Sequence, residues 1–115
     1  MAKKILWFSR HEMSAEQKAA LSRPDEEVVI NQINRSINSA YELQEEIEAA
    51  DVIAIVAPIN LQQQFLKLAK DKPVIMAVNN RVLVKHENSE DEVQFNFVKW
   101  ERLLEIKIEK EDYIP

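Results

Sequence analysis

Short runs of consecutive apolar residues alternate along this chain with segments in which apolar residues recur every three or four positions. The runs at 5–8, 52–56 and 74–78 are apolar throughout, a pattern typical of strands buried on both faces of a parallel sheet. The segments between them carry apolar residues at helical spacing, with charged residues on the opposite face. This alternation predicts an α/β domain.

Three polar residues mark predicted helix starts. Ser14 with Gln17, and Ser39 with Glu42, have the spacing of capping boxes, and Asn60 is predicted to cap a third helix. The first part of the fold is therefore expected to consist, in chain order, of a strand at 5–8, a helix at 15–22, a strand at 27–33, a helix at 39–50, a strand at 52–56, a helix at 61–68 and a strand at 74–78.

Strict alternation of apolar and polar residues marks the C-terminal part. Residues 93–97 and 104–108 alternate in this way, which predicts two half-exposed strands. We expect Asn79 and Asn80 to end the preceding strand in a turn, and the segment around Trp100 to form a helical turn or a bend. Right-handed crossovers favour the order 2-1-3-4 for the parallel strands, with the C-terminal strands extending one edge. The predicted fold is a Rossmann-like three-layer sandwich that forms a single domain over residues 1–115.

Composition narrows the possible functions. Glycine is absent, which excludes the Walker loop and the glycine-rich dinucleotide fingerprint and leaves asparagine as the expected residue for any left-handed turn position. With no cysteine and only two histidines, no metal site and no cofactor are expected. The net charge of -5 argues against double-stranded DNA as a partner. No stretch has the length of a membrane span or signal peptide, so we expect a cytoplasmic protein that binds no membrane.

The loop after the first strand is the candidate site. Ligands of open α/β sheets bind at the carboxyl edge where the strand order reverses, and Ser9, Arg10 and His11 are predicted to lie there. A guanidinium grips phosphate bidentately, imidazole moves protons near neutral pH, and a hydroxyl donates a hydrogen bond. These three residues are the catalytic candidates, and the expected ligand-binding residues are Phe8, Ser14, Pro58, Asn60, Asn79 and Asn80.

The opening of the chain also resembles a known group of proteins. Leu6-Trp7-Phe8-Ser9-Arg10-His11, followed by Met13-Ser14-Ala15-Glu16-Gln17, is similar to the strand, Ser/His loop and Ser/Thr-x-x-Gln helix start of small Rossmann-like CRISPR-associated accessory proteins of the ring-nuclease type. The resemblance implies binding of a cyclic oligoadenylate second messenger in antiviral defence and a homodimer whose two-fold axis matches the ring. Cleavage by the ligand's own 2′-hydroxyl, without metal, would need mainly in-line geometry and charge stabilisation.

Two other functions fit the same residues. The protein could bind the nucleotide without cleaving it, as a sponge, or it could be a small acidic protein of phage or mobile-element origin whose charge binds a basic protein partner. Structural roles also exist for the candidate residues: Arg10 could pair with Glu12 or Glu16, Ser14 and Asn60 could serve only as caps, and Trp100 could anchor the core or a dimer.

Overall fold

The described residues form the strands β1 (Ala2–Phe8), β2 (Glu27–Ile33), β3 (Val52–Ile55), β4 (Val74–Val84) and β5 (Glu92–Arg102). These strands make one mixed sheet in the order β2-β1-β3-β4-β5. The computed structural model describes residues 2–87, 90–105 and 111–115. Strands β1 to β4 are parallel, and β5 runs antiparallel to β4. The predicted α/β class and the predicted order 2-1-3-4 are thus confirmed. The helices are α1 (Ala15–Leu21), a 3-10 helix (Ala40–Leu43) that leads into α2 (Gln44–Ala49), and α3 (Ile59–Ala69).

Helices lie against both faces of the sheet, which explains why its central strands are apolar throughout. Side chains alternate between the faces of a strand, so Leu6 and Phe8 of β1 pack with the side of the core that holds α2 and α3, where Phe65 is fully buried. Ile5 and Trp7 belong to the second core cluster, on the side of α1. No helix in the described ranges is long and apolar enough to cross a lipid bilayer.

Two of the three predicted helix starts are confirmed. Ser14 Oγ accepts a hydrogen bond from the Gln17 amide at 3.1 Å, and Gln17 Oε1 accepts one from the Ser14 amide at 2.9 Å. Ser39 and Glu42 form the second capping box, at the start of the 3-10 helix. The prediction for Asn60 is wrong: Pro58 is the N-cap of α3 and Asn60 lies exposed in its first turn. The φ of proline is fixed near −65°, which fits the extended N-cap geometry of Pro58 (φ −68°, ψ 163°), and the helix begins at Ile59.

Strand β4 continues through the two asparagines at which the sequence predicts a turn. Asn79 and Asn80 pair with Phe97 and Asn96 of β5, so the predicted turn is wrong. Trp100 is likewise in β5 and not in a helical turn or bend. In both places an antiparallel partner supplies the backbone hydrogen bonds, and its presence overrides local propensity.

The C-terminal alternation predicts one strand correctly. Residues 93–97 lie within β5, and the register shifts by one residue between Val78 and Asn79, opposite Val98. Of the second predicted strand, Leu104 and Glu105 are outside any strand, and 106–108 lie outside the described residues. We call the part of the hairpin formed by residues 79–84 of β4 and 92–97 of β5 the arm.

The turn between α3 and β4 holds the only positive φ among the described residues. Lys70 has φ 57° and ψ −114°, and the Lys72 amide donates to the carbonyl of Ala69 at 3.0 Å. These values are those of the first central residue of a type II′ turn, a position that glycine dominates. The expectation that an asparagine would take any such position is wrong, because in this chain a lysine occupies it.

Candidate functional site

The loop after β1 is held in place from two sides. Ser9 is buried and its Oγ accepts a hydrogen bond from the His11 amide at 3.1 Å. The His11 carbonyl accepts from Trp7 Nε1 at 2.8 Å and from Gln32 Nε2 at 3.0 Å. Gln32 Nε2 also donates to the Ser9 carbonyl at 3.0 Å. The backbone is therefore fixed, while the side chains of Arg10 and His11 remain exposed.

One cleft lies on the β2 side of this loop, and we call it the arginine cleft. Its volume is about 380 Å³, and it is lined by Phe8, Ser9, Arg10, His11, Ile33, Arg35, Ser36, Ile37, Val56, Pro58 and Leu61. Arg10 Nη2 donates to Ser36 Oγ at 2.7 Å. The cleft thus joins the residues that follow β1, β2 and β3.

Positive charge predominates in the arginine cleft. Arg10 and Arg35 line it, and its lining contains no carboxylate. Arg35 Nη1 lies 3.7 Å from Oε1 of Glu42, outside the lining. Hydrogen bonds from the backbone amides of Asn38 and Ser39, and then the Arg35 guanidinium, lower the pKa of Glu42. The Glu42 carboxylate therefore offsets part of the charge of Arg35, whereas Arg10 is bonded to a neutral hydroxyl.

The start of α3 borders the same cleft. Pro58 and Leu61 line it, and no side chain caps α3 in the part of the chain that the structure describes. The N-terminal amides of a helix carry partial positive charge and need acceptors. The start of the 11-residue helix α3 therefore lies beside a cleft that two guanidinium groups line.

A larger cleft of about 650 Å³ lies on the other side of the loop, between α1 and the arm, and we call it the arm cleft. Glu12 and Glu16 line it, together with Asn79 and the aromatic rings of Phe95 and Phe97. Two carboxylates disfavour an anion here. The start of α1 offers little compensation, because its capping box already occupies amides at this end.

The structure divides the predicted site residues between these two clefts. Phe8, Arg10 and Pro58 line the arginine cleft, Ser14 and Asn79 line the arm cleft, and Ser9 and His11 border both. Asn60 and Asn80 are exposed and line neither cleft. The Arg10 guanidinium donates to Ser36. It does not form the ion pair with Glu12 or Glu16 that a purely structural role for Arg10 would require.

Arg35 and Ser36 are site residues that the sequence pattern alone does not single out. A signal for them is present, since Arg35 follows the predicted end of β2 at Ile33 as closely as Arg10 follows the end of β1, and Ser36 is the next residue. Neighbouring parallel strands deliver the residues after their carboxyl ends to one edge of the sheet. Polar residues after β2 therefore belong in the candidate set.

Comparison of the chain with protein-family models, with curated proteins and with solved structures finds no match in any of the three. The geometry and charge of the arginine cleft therefore carry the functional conclusion.

Proposed function

We propose that this protein is a Rossmann-like three-layer sandwich that binds a phosphate-bearing nucleotide in the arginine cleft. The observation that carries the proposal is the meeting of Arg10 and Arg35 in one cleft beyond the carboxyl ends of the strands. The cleft includes Val56 and Pro58 after β3, beside the loop after β1, where the strand order reverses. Open α/β sheets bind nucleotides at this position.

The polar half of the cleft suits a phosphate. A guanidinium presents paired N–H donors that match two phosphate oxygens, and Arg10 directs such a donor to Ser36 Oγ. A phosphate between Arg10 and Arg35 would accept from both groups and from the first-turn amides of α3. The cleft thus offers these donors without any glycine-rich loop.

The apolar half of the cleft suits a base. Ile37, Val56 and Leu61 line it, and Val56, which borders both clefts, is 56% exposed, so a bound ring would cover apolar surface. The volume of about 380 Å³ falls near the lower end of the range for small-molecule sites, roughly 300 to 1,000 Å³. One cleft therefore has room for about one nucleotide unit, and a cyclic oligoadenylate supplies several identical units to a symmetric dimer.

His11 makes cleavage the second part of the proposal, because it borders the cleft beside Arg10. In the metal-independent reaction the ligand's 2′-oxygen attacks the adjacent phosphorus, the bond from phosphorus to the 5′-oxygen breaks, and a 2′,3′-cyclic phosphate and a 5′-hydroxyl form. His11 would take the 2′-hydroxyl proton or protonate the leaving oxygen, and Arg10 would stabilise the charge on the phosphoryl oxygens. Ser9 is a positioning residue in this scheme, because its hydroxyl accepts from the His11 amide.

The test is incubation of the purified protein with a panel of cyclic oligoadenylates in the presence of EDTA, followed by melting temperature and by chromatography of products. Arg10→Ala and Arg35→Ala should each weaken binding at least tenfold, since each loses a charge-assisted contact of about 1.5 to 3 kcal/mol. Arg23→Ala is the matched control. Arg23 is exposed and precedes β2, so it lies at the amino end of the parallel strands, away from the cleft at their carboxyl ends.

The panel also separates the alternatives. Product that disappears in His11→Ala while binding persists would identify a nuclease, and binding without product from the unmodified protein would identify a sponge. Equal effects of Arg10→Ala and Arg23→Ala on binding would contradict the proposal that the ligand binds in the arginine cleft. No binding of any ring would refute a cyclic oligoadenylate as the ligand and favour a basic protein partner.

A further inference from the structure

The arginine cleft and the arm cleft meet at the loop after β1. Ser9, His11 and Val56 line both of them. A ligand that fills the arginine cleft, which has room for about one nucleotide unit, can therefore continue past His11 into the arm cleft. The arm cleft has a volume of about 650 Å³, so it is large enough for a further nucleoside.

Charge gives the two clefts different roles. Arg10 and Arg35 line the arginine cleft, whereas the exposed side chains of Glu12 and Glu16 line the arm cleft. A phosphate is attracted to the first cleft and repelled from the second. The arm cleft therefore suits the part of a nucleotide chain that carries no charge, which is the nucleoside.

Aromatic rings give the arm cleft a surface on which a base can stack. Phe95 and Phe97 line it. Phe97 is already packed, since its ring centroid lies 5.6 Å from that of Trp100, whereas Phe95 is 69% exposed. Nucleic acid bases stack on exposed aromatic side chains of this kind, so Phe95 is the ring that is open to a ligand.

The polar groups around these rings match the edge of adenine. The carboxylates of Glu12 and Glu16 accept hydrogen bonds, and neither forms an ion pair with the described residues. Asn79 and Asn96 also line the cleft, and their side-chain amides both donate and accept. Adenine has an amino group that donates and a ring nitrogen that accepts. The lining therefore offers partners for both.

We propose that the arm cleft binds a second adenosine of an oligonucleotide whose phosphate lies in the arginine cleft. The base of this nucleoside stacks on Phe95, and its amino group donates to Glu12 or Glu16. The linking phosphate then lies beside Arg10 and His11, with one nucleoside on each side of it. This inference rests on the proposed nucleotide site, and it adds that the substrate class is an oligonucleotide and not a mononucleotide.

Calorimetric binding of matched ligands tests the inference. The deoxyadenosine dinucleotide has one phosphodiester and two nucleosides, and it has no 2′-hydroxyl through which it could be cleaved. The methyl esters of deoxyadenosine 3′-phosphate and 5′-phosphate have the same charge but only one nucleoside. The dinucleotide should bind at least about tenfold more tightly than either ester, because one stacked base has an effect of this order.

Variants of the arm and of the ligand test the two contacts separately. Phe95→Ala should reduce the gain of the dinucleotide over the esters to less than threefold. Leu83→Ala is the matched control, since Leu83 is another exposed apolar residue of the arm, at 55%, but lines neither cleft. The same ligands made with unsubstituted purine, which lacks the amino group, should show a gain at least threefold smaller.

The outcomes distinguish this inference from the proposed function. Methyl esters that bind, together with a dinucleotide that binds less than threefold more tightly, would overturn the second site and leave the arginine cleft in place. No binding of any of these ligands would refute both. An equal loss of the gain in Phe95→Ala and Leu83→Ala would overturn the stacking contact, and an equal gain with unsubstituted purine would overturn the contact with the carboxylates.

Discussion

Replacing Lys70 by glycine should stabilise the protein. Lys70 has φ 57° and ψ −114°, and a non-glycine residue held in such a sparsely populated region costs about 1 to 3 kcal/mol. Glycine adopts these angles freely but loses more conformational entropy on folding, which costs about 0.5 to 1 kcal/mol. The Lys70→Gly variant should therefore gain about 1 kcal/mol in the free energy of unfolding.

Urea denaturation followed by circular dichroism measures this gain, and Lys67→Gly provides the matched control. Lys67 is an exposed residue in the last turn of α3, where the same substitution should cost up to about 1 kcal/mol. The two variants should thus shift the midpoint in opposite directions with equal slopes. If both lose stability by the same amount, Lys70 is not strained and the type II′ turn is wrong.

Further expectations concern other named contacts. Ser14→Ala should lower the free energy of unfolding by about 1 kcal/mol through loss of the capping box, measured by urea denaturation. Trp100→Phe should cost about 1 kcal/mol, because the indole N–H donates to the carbonyl of Gln17 at 3.0 Å; no loss would contradict that contact. An NMR titration should find the pKa of Glu42 below its ordinary value. The ionised carboxylate then stabilises the folded protein at any pH above the pKa of Glu42 in the unfolded chain, and this stabilisation is lost as the pH falls through the lower pKa of the folded state. Lys72→Met should destabilise α2, since the ammonium donates to the carbonyls of Ile47 and Glu48 near the end of that helix, and thermal denaturation measures the loss.

Local signals predict the first two-thirds of the fold well. The apolar runs of β1 and β3 can be buried only by elements on both faces of the sheet. The capping boxes at Ser14 and Ser39 give the free amides at the helix starts hydrogen-bond partners from residues within three positions. These interactions are encoded within a few residues of each other. The order of the parallel strands then follows from short right-handed crossovers.

Non-local pairing accounts for the failures. Asn79 and Asn80 have strong turn propensity, yet β5 pairs with them from 16 or more residues further along the chain. The ring of Trp100 lies 5.8 Å, between centroids, from the ring of Trp7 in β1, a contact with the other end of the chain that the local pattern does not show. The sequence pattern does not identify Arg35 for a related reason: Arg35 joins the cleft only because β2 pairs with β1, which brings it close to the loop that carries Arg10.

The central position of β1 has a consequence for folding during synthesis. β1 pairs with β2 and with β3, and β3 follows β1 only after α1, β2 and α2. A nascent chain that has made β1 and β2 therefore holds an apolar strand with one open edge until Val52–Ile55 leaves the ribosome. During that interval the edge is a binding site for chaperones or for another unfinished chain, so slow translation between β2 and β3 should raise the risk of aggregation.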